Sequence, residues 1–151
     1  MIERYETEAM SAVFSDVARF QRYLEIELFV VEAWESIGVA PAGSSTACRT
    51  RAPLVDERFV AAVSEREAVT NHDVAAFVDV VQAAISGPEA NWIHYGCTSS
   101  DIVDTAWASL VSDALGPIID AAYDLVALLA DRSETHRATV MIGRTHGIHA
   151  E

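Results

Sequence analysis

The chain has no lysine. All ten of its basic residues are arginine, set against 23 acidic ones, which gives a formal net charge of −13 over 151 residues. A field of that sign repels phosphate backbones and anionic headgroups, which argues against nucleic acid and membrane surfaces as partners. Cysteine is scarce as well. Cys48 and Cys97 are the only two thiols, too few for a disulfide scaffold. No uninterrupted apolar run approaches the roughly 18 residues of a membrane-spanning helix. The opening MIERYETEAM is acidic and lacks the apolar centre of a signal peptide. Together these absences predict a cytoplasmic protein. Internal repeats, low-complexity tracts and long linkers are also missing.

What is present is apolar. Hydrophobic residues make up 51% of the chain, and the mean hydropathy is +0.19. A chain this long forms one domain, or one domain and the start of another, and it can bury a real core. The surplus of apolar residues predicts a surface that faces a partner subunit rather than water.

The hydrophobic period is helical almost throughout. Ser15 is placed to cap a helix running to about Ile37, with Val17, Phe20, Leu24, Leu28 and Val31 at steps of three and four. Gly38 and Pro41 stop it. Residues 42–52 are small and polar and read as a loop. A shorter amphipathic helix follows over 54–69. Asn71 is the expected cap of a helix over 73–85, whose buried stripe is Val74, Phe77, Val78 and Val81; Gly87-Pro88 ends it. Ser99 or Ser100 is expected to cap a helix over 101–115. Gly116-Pro117 predicts a break there and a new helix to about Thr135, apolar over most of its circumference and therefore buried on several sides. Residues 138–142 form the one β-prone run. The fold class expected is all-α, with a domain boundary near Gly116.

Three polar clusters carry the chemistry. The last stretch, TVMIGRTHGIHAE, places Arg144, His146 and His149 around Gly147. A neutral imidazole is the best general acid–base at pH 7, and an arginine fork pins a carboxylate with two parallel bonds. The H-x-x-H spacing in a Gly-containing loop is not the helical H-E-x-x-H metal signature, and no metal site is expected. The second cluster, His94–Asp101 (HYGCTSSD), sets Thr98, Ser99 and Ser100 at a helix start. Hydroxyls and unpaired amides there suit an anion such as a carboxylate, although N-capping alone would explain one serine. Cys97 reads as a small buried thiol. In the third cluster Asp73 could orient His72, whereas capping by Asn71 and a dipole role for Asp73 need no ligand. Arg4 and Tyr5 form a fourth, weaker candidate for an anion clamp.

The blocks MIERY, VEAWESIG, NHDVAAF, WIHYGCTSSDIVDTA and TVMIGRTHGIHAE occur in the order and approximate spacing of the adenylosuccinate lyase family, within the fumarase/aspartase superfamily. The chain resembles about the first third of a family member. The resemblance implies an all-α fold: a small N-terminal helical domain over 1–115 and, over 116–151, the first part of a long central bundle shared by four chains in a homotetramer. It implies β-elimination of fumarate from adenylosuccinate, giving AMP, and from the carboxamide intermediate SAICAR, giving AICAR, in purine biosynthesis. No metal or organic cofactor is implied. His146 matches the family's general acid. Arg4, Tyr5, Asn71, His72, Asp73, Thr98 and Ser99 match substrate-binding positions, with His94, Ser100, Arg144 and His149 as additional candidates. The family's general base is a serine in an S-S-x-M-P-x-K-x-N sequence, which this chain lacks. The chain is therefore expected to be an N-terminal part, inactive by itself. The alternatives are another superfamily lyase, of the argininosuccinate lyase or carboxymuconate cycloisomerase type, or a non-catalytic helical oligomerisation fragment.

Overall fold

A computed structural model describes residues 3–150. Met1, Ile2 and Glu151, which belong to the MIERY and HAE ends of the resemblance, lie outside the described residues. Six α-helices follow a 3-10 turn at Glu3–Tyr5: α1 (Glu8–Val13), α2 (Asp16–Ser36), α3 (Ser44–Arg51), α4 (Glu57–Thr70), α5 (Asp73–Ile85) and α6 (Ser99–Thr135). A second 3-10 turn, Pro88–Trp92, leads into the segment before α6, and a short hairpin of β1 (Gly143–Thr145) and β2 (Ile148–Ala150) follows it. Among the described residues the chain is all-α apart from that hairpin. Among the described residues no helix is long and apolar enough to cross a membrane.

Two compact units divide the chain, Met1–Ala114 and Leu115–Glu151. The first has its own core. Helix α2 starts where the Ser15 hydroxyl accepts from the Ala18 amide at 3.1 Å, satisfying one of the unpaired donors of its first turn. Its inward stripe is Phe20, Tyr23, Leu24, Glu27, Leu28 and Val31, at alternating steps of three and one. Helix α4 is capped by Asp56, whose carboxylate takes the Arg58 and Phe59 amides at 3.0 Å each. Phe20 and Phe77 stack at 5.7 Å between centroids, and Phe59 and Tyr23 meet Phe77 edge-on. Such pairs add about 0.5–1.5 kcal/mol beyond the area they bury. From α6, Ile102, Ala106, Leu110 and Ala114 face inward at four-residue steps. Arg22 of α2 reaches Asp113 at 2.7 Å.

Four local expectations are corrected. Residues 42–52 are not a loop, because α3 occupies Ser44–Arg51. Its first amides are accepted from a distance: Glu35 of α2 takes the N–H of Gly43 at 2.8 Å and of Ser45 at 2.6 Å. Gly116-Pro117 does not break the last long helix, and α6 runs through it. Proline removes one N–H, which would have bonded a carbonyl four residues back, and the helix formers on both sides carry the turn past that gap. Asn71 caps α4 at its C-terminus in a left-handed conformation (φ 52°), while the N-cap of α5 is His72. The strand pattern at 138–142 is displaced, since the strands are β1 and β2.

The second unit contains the end of α6 and the hairpin. Ile118, Ile119, Tyr123, Leu125, Val126 and Leu128 are all exposed in it. The hairpin is antiparallel, pairing Gly143 with Ala150, Arg144 with His149 and Thr145 with Ile148. His146 (φ 51°) and Gly147 (φ 74°) make the turn. Two successive left-handed residues match the twist of a tight hairpin.

Candidate active site

In the first unit the structure brings together residues from two clusters that are separate in the sequence. His72 Nε2 lies 3.3 Å from the Ser99 hydroxyl. Its Nδ1 accepts from the Ala75 amide at 3.4 Å and stands 3.3 Å from an Asp73 carboxylate oxygen. With Nδ1 accepting from the Ala75 amide, a neutral ring carries its proton on Nε2 and donates it to Ser99; with a proton on Nδ1, that proton faces Asp73 and Nε2 accepts from Ser99. Histidine at this helix start thus serves as both cap and link between α5 and α6. Asp73 also borders a cavity of about 500 Å³ whose walls include Phe14, Arg19, Tyr23, Asp104 and Trp107.

The start of α6 is built as a reciprocal cap. The Thr98 amide donates to Asp101 Oδ2 at 2.8 Å, and the Asp101 amide donates back to the Thr98 carbonyl at 3.0 Å. Thr98, rather than Ser99 or Ser100, therefore precedes the helix, whose first residues are those two serines. Thr98 and Ser100 are exposed and Ser99 half-buried.

The turn ahead of it is held from below and from the side. Glu27, fully buried on α2, accepts from the His94 amide at 2.7 Å and contacts His94 Nδ1 at 2.6 Å. The Trp34 indole donates to the Tyr95 carbonyl at 2.8 Å. His94 (φ 65°) and Gly96 (φ 75°) are both left-handed. A side chain on Gly96 would come within 3.1 Å of the Trp34 ring. Burial, then the Glu27 and Asp101 carboxylates, push the Cys97 thiol up, which disfavours the thiolate form.

The remaining candidates form two further groups. The Arg4 guanidinium lies over the Tyr5 ring, 4.8 Å from its centroid. In the second unit Arg144 Nη2 is 3.2 Å from His149 Nε2, the cross-strand pairing that their register dictates, and His146 stands exposed at the turn. Among the described residues no group of three or more His, Cys, Asp or Glu is placed to hold a metal ion. Glu27 was the functional candidate the sequence concealed. Its signal was positional: three residues after Leu24 and four before Val31, it falls on the apolar stripe.

A family model described as Lyase matches residues 3–151. The chain belongs to this lyase family. It is 40% identical over all 151 residues to adenylosuccinate lyase of Bacillus subtilis (strain 168) and 38% identical to that of Aquifex aeolicus (strain VF5). It spans 34% of the length of each of these curated relatives. Among solved structures, fumarate lyase from Mesorhizobium sp. BNC1 superposes with a TM-score of 0.81 at 28% identity, covering 93% of this chain and 33% of that one. β-Carboxy-cis,cis-muconate cycloisomerase from Acinetobacter calcoaceticus sp. ADP1 superposes with a TM-score of 0.84 at 25% identity, covering 95% and 34%. The lyase chain thus shares the fold of that wider group.

Proposed function

We propose that this chain supplies part of the active site of an adenylosuccinate-cleaving enzyme. The observation that carries this is the 40% identity to a curated adenylosuccinate lyase across the full 151 residues. The geometry is compatible. Elimination removes a carbon-bound proton next to a carboxylate, breaks the C–N bond and protonates the departing nitrogen. His146, exposed at a turn, acts as the acid toward that nitrogen. Fumarate leaves, with AMP or, from SAICAR, AICAR as the other product. Arg4, Tyr5, Asn71, His72, Asp73, Thr98 and Ser99 bind the substrate, assisted by Ser100, His94, Arg144 and His149. The amides and hydroxyls at the α6 start suit a carboxylate. The proton on carbon is taken by a group outside this chain.

The two units are read as an N-terminal helical domain and the first part of a central bundle, and the exposed apolar face of the second as the surface that a cytoplasmic homotetramer covers. The TM-score of 0.84 to a muconate cycloisomerase favours a second reading, a lyase of that type; its 25% identity against 40% ranks it behind.

The test is fumarate release from adenylosuccinate, with this chain alone and with a second chain supplying the remaining length of a relative. Activity only on mixing supports the proposal. Activity of this chain alone would contradict the assignment of the base, and turnover only of a carboxymuconate would replace the substrate.

A further inference from the structure

Among the described residues Glu27 is the one charged side chain buried from solvent, with 0% exposure. A carboxylate in an apolar core is costly unless its oxygens are fully engaged. Both are, and by a single residue. Oε2 takes the His94 backbone N–H at 2.7 Å and Oε1 meets the His94 ring at Nδ1, 2.6 Å away. This double contact does two things at once. The amide contact holds His94 at φ 65°, a left-handed conformation disfavoured for a side chain of this size. The ring contact puts a proton on Nδ1, because a carboxylate only accepts. Nε2 is then the ring nitrogen left to meet a ligand, as a bare acceptor in the neutral ring or as a donor in the charged one. The His94 side chain is 22% exposed, so solvent or a ligand reaches part of it.

We propose that Glu27 is a positioning residue: it fixes the tautomer of His94 and the shape of the His94–Thr98 turn that precedes the anion-binding start of α6. Two further contacts converge on the same turn. Trp34 holds the Tyr95 carbonyl, and Gly96 is packed against the Trp34 ring. Trp34 lies seven residues after Glu27 on α2, two turns along one helical face. A single helix therefore anchors the turn at two points, one of them carrying the only buried charge among the described residues. If Glu27 served the fold alone, an apolar side chain would fill its place on the stripe at lower cost. Pairing a buried carboxylate with a ring nitrogen is also how proteins commonly set histidine orientation.

The test reads the ring directly. The chain is labelled with ¹⁵N-histidine, and the His94 ring is assigned by its loss in His94→Gln. Long-range proton–nitrogen spectra then report which nitrogen carries hydrogen. In the unsubstituted chain Nδ1 is expected to be protonated. In Glu27→Gln the fixed His94 amide takes the glutamine oxygen, so the glutamine NH₂ faces Nδ1. That nitrogen must then be bare, and the neutral ring should flip to the Nε2–H tautomer. Every polar group stays paired, so the fold should survive, which far-UV circular dichroism checks. A bare or rapidly averaging Nδ1 in the unsubstituted chain would overturn the proposal without any variant needing to fold. So would an unchanged ring in a folded Glu27→Gln.

A second arm rests on the elimination reading. In the complemented enzyme Glu27→Gln should lower kcat/KM by about 10–100-fold, the usual loss for a partner that orients a functional histidine. The same substitution should cost almost nothing further in a His94→Gln background. Equal losses in both backgrounds would mean that Glu27 acts on the fold and not through His94, and would overturn the proposal. Absence of turnover in the unsubstituted enzyme would sink the elimination reading instead, and the ring spectrum alone would then decide the role of Glu27.

Discussion

His146 occupies a left-handed backbone position, which costs a non-glycine residue about 1–2 kcal/mol. Strained positions of this kind cluster where function demands them. On the elimination reading, His146→Ala in the complemented enzyme is expected to lower kcat for fumarate release by roughly 10²–10⁴ with a smaller effect on KM; near-normal kcat would remove it from the mechanism. Cys97 gives a prediction of opposite sense. Its thiol is pushed up by burial and then by the Glu27 and Asp101 carboxylates, so at pH 8 the thiolate fraction is below that of a free cysteine. Iodoacetamide should label Cys97 more slowly than a model thiol, with the rate still climbing above the ordinary thiol range. Labelling at the free-thiol rate would contradict the burial argument. At this scale the residue types of the candidate site were legible in the sequence, whereas their partners were not. Nothing local to His72 announces Ser99, 27 positions away, as its hydrogen-bond partner. Glu27 shares α2 with Glu25 and Glu32, which are exposed, so composition alone assigns it to a solvated face.

Helices with local punctuation are the elements that sequence reading locates. Ser15 before α2 and Gly38 after it are signals within a turn of the helix they bound. Helix α3 has no such signal, since its N-cap is Gly43 without a side-chain bond and its capping carboxylate belongs to Glu35, eight residues before. The continuity of α6 is concealed for the opposite reason. Gly116-Pro117 is a strong local stop, overridden by the cooperative propagation of a helix already formed on both sides. The α3 cap has a pH signature. Hydrogen bonds from the Gly43 and Ser45 amides hold the Glu35 carboxyl below its ordinary value. A carboxyl lowered in the folded state contributes stability above its unfolded pKa and loses it as pH falls through the folded value. Amide exchange at Gly43 and Ser45, after correction for intrinsic rates, should therefore accelerate on acidification through and below the ordinary glutamate range. In Glu35→Gln exchange there should be faster at neutral pH and without that dependence. Protection unchanged in Glu35→Gln would show that α3 is held by other contacts.

The whole chain is two units that differ in how they treat apolar surface. The first encloses the Phe20–Tyr23–Phe59–Phe77 cluster, while the second leaves Ile118, Leu125 and Leu128 in solvent. The excess of apolar residues was visible in composition, and the helical stretch after Pro117 was already marked as apolar over most of its circumference; the fold shows that this chain by itself leaves it uncovered. An exposed face of this kind should drive self-association. Light scattering is expected to show an average mass that rises with concentration, and Leu125→Glu with Leu128→Glu should restore a monomer of 16.4 kDa. A monomer at all concentrations before substitution would refute it. Phe77→Ala, in the first unit, should cost about 3–5 kcal/mol in denaturant unfolding without changing association.

The β1–β2 hairpin has a consequence for tolerance of insertions and deletions. Its strands are three residues each, joined by His146 and Gly147, and side chains alternate faces along them. Adding or removing one residue inside β1 or β2 would shift the register by one and send Arg144 and His149 to opposite sides. Point substitutions leave that frame intact. For this segment, spacing is therefore a stricter requirement than composition, and tolerated length changes should be confined to the stretch between Thr135 and Gly143.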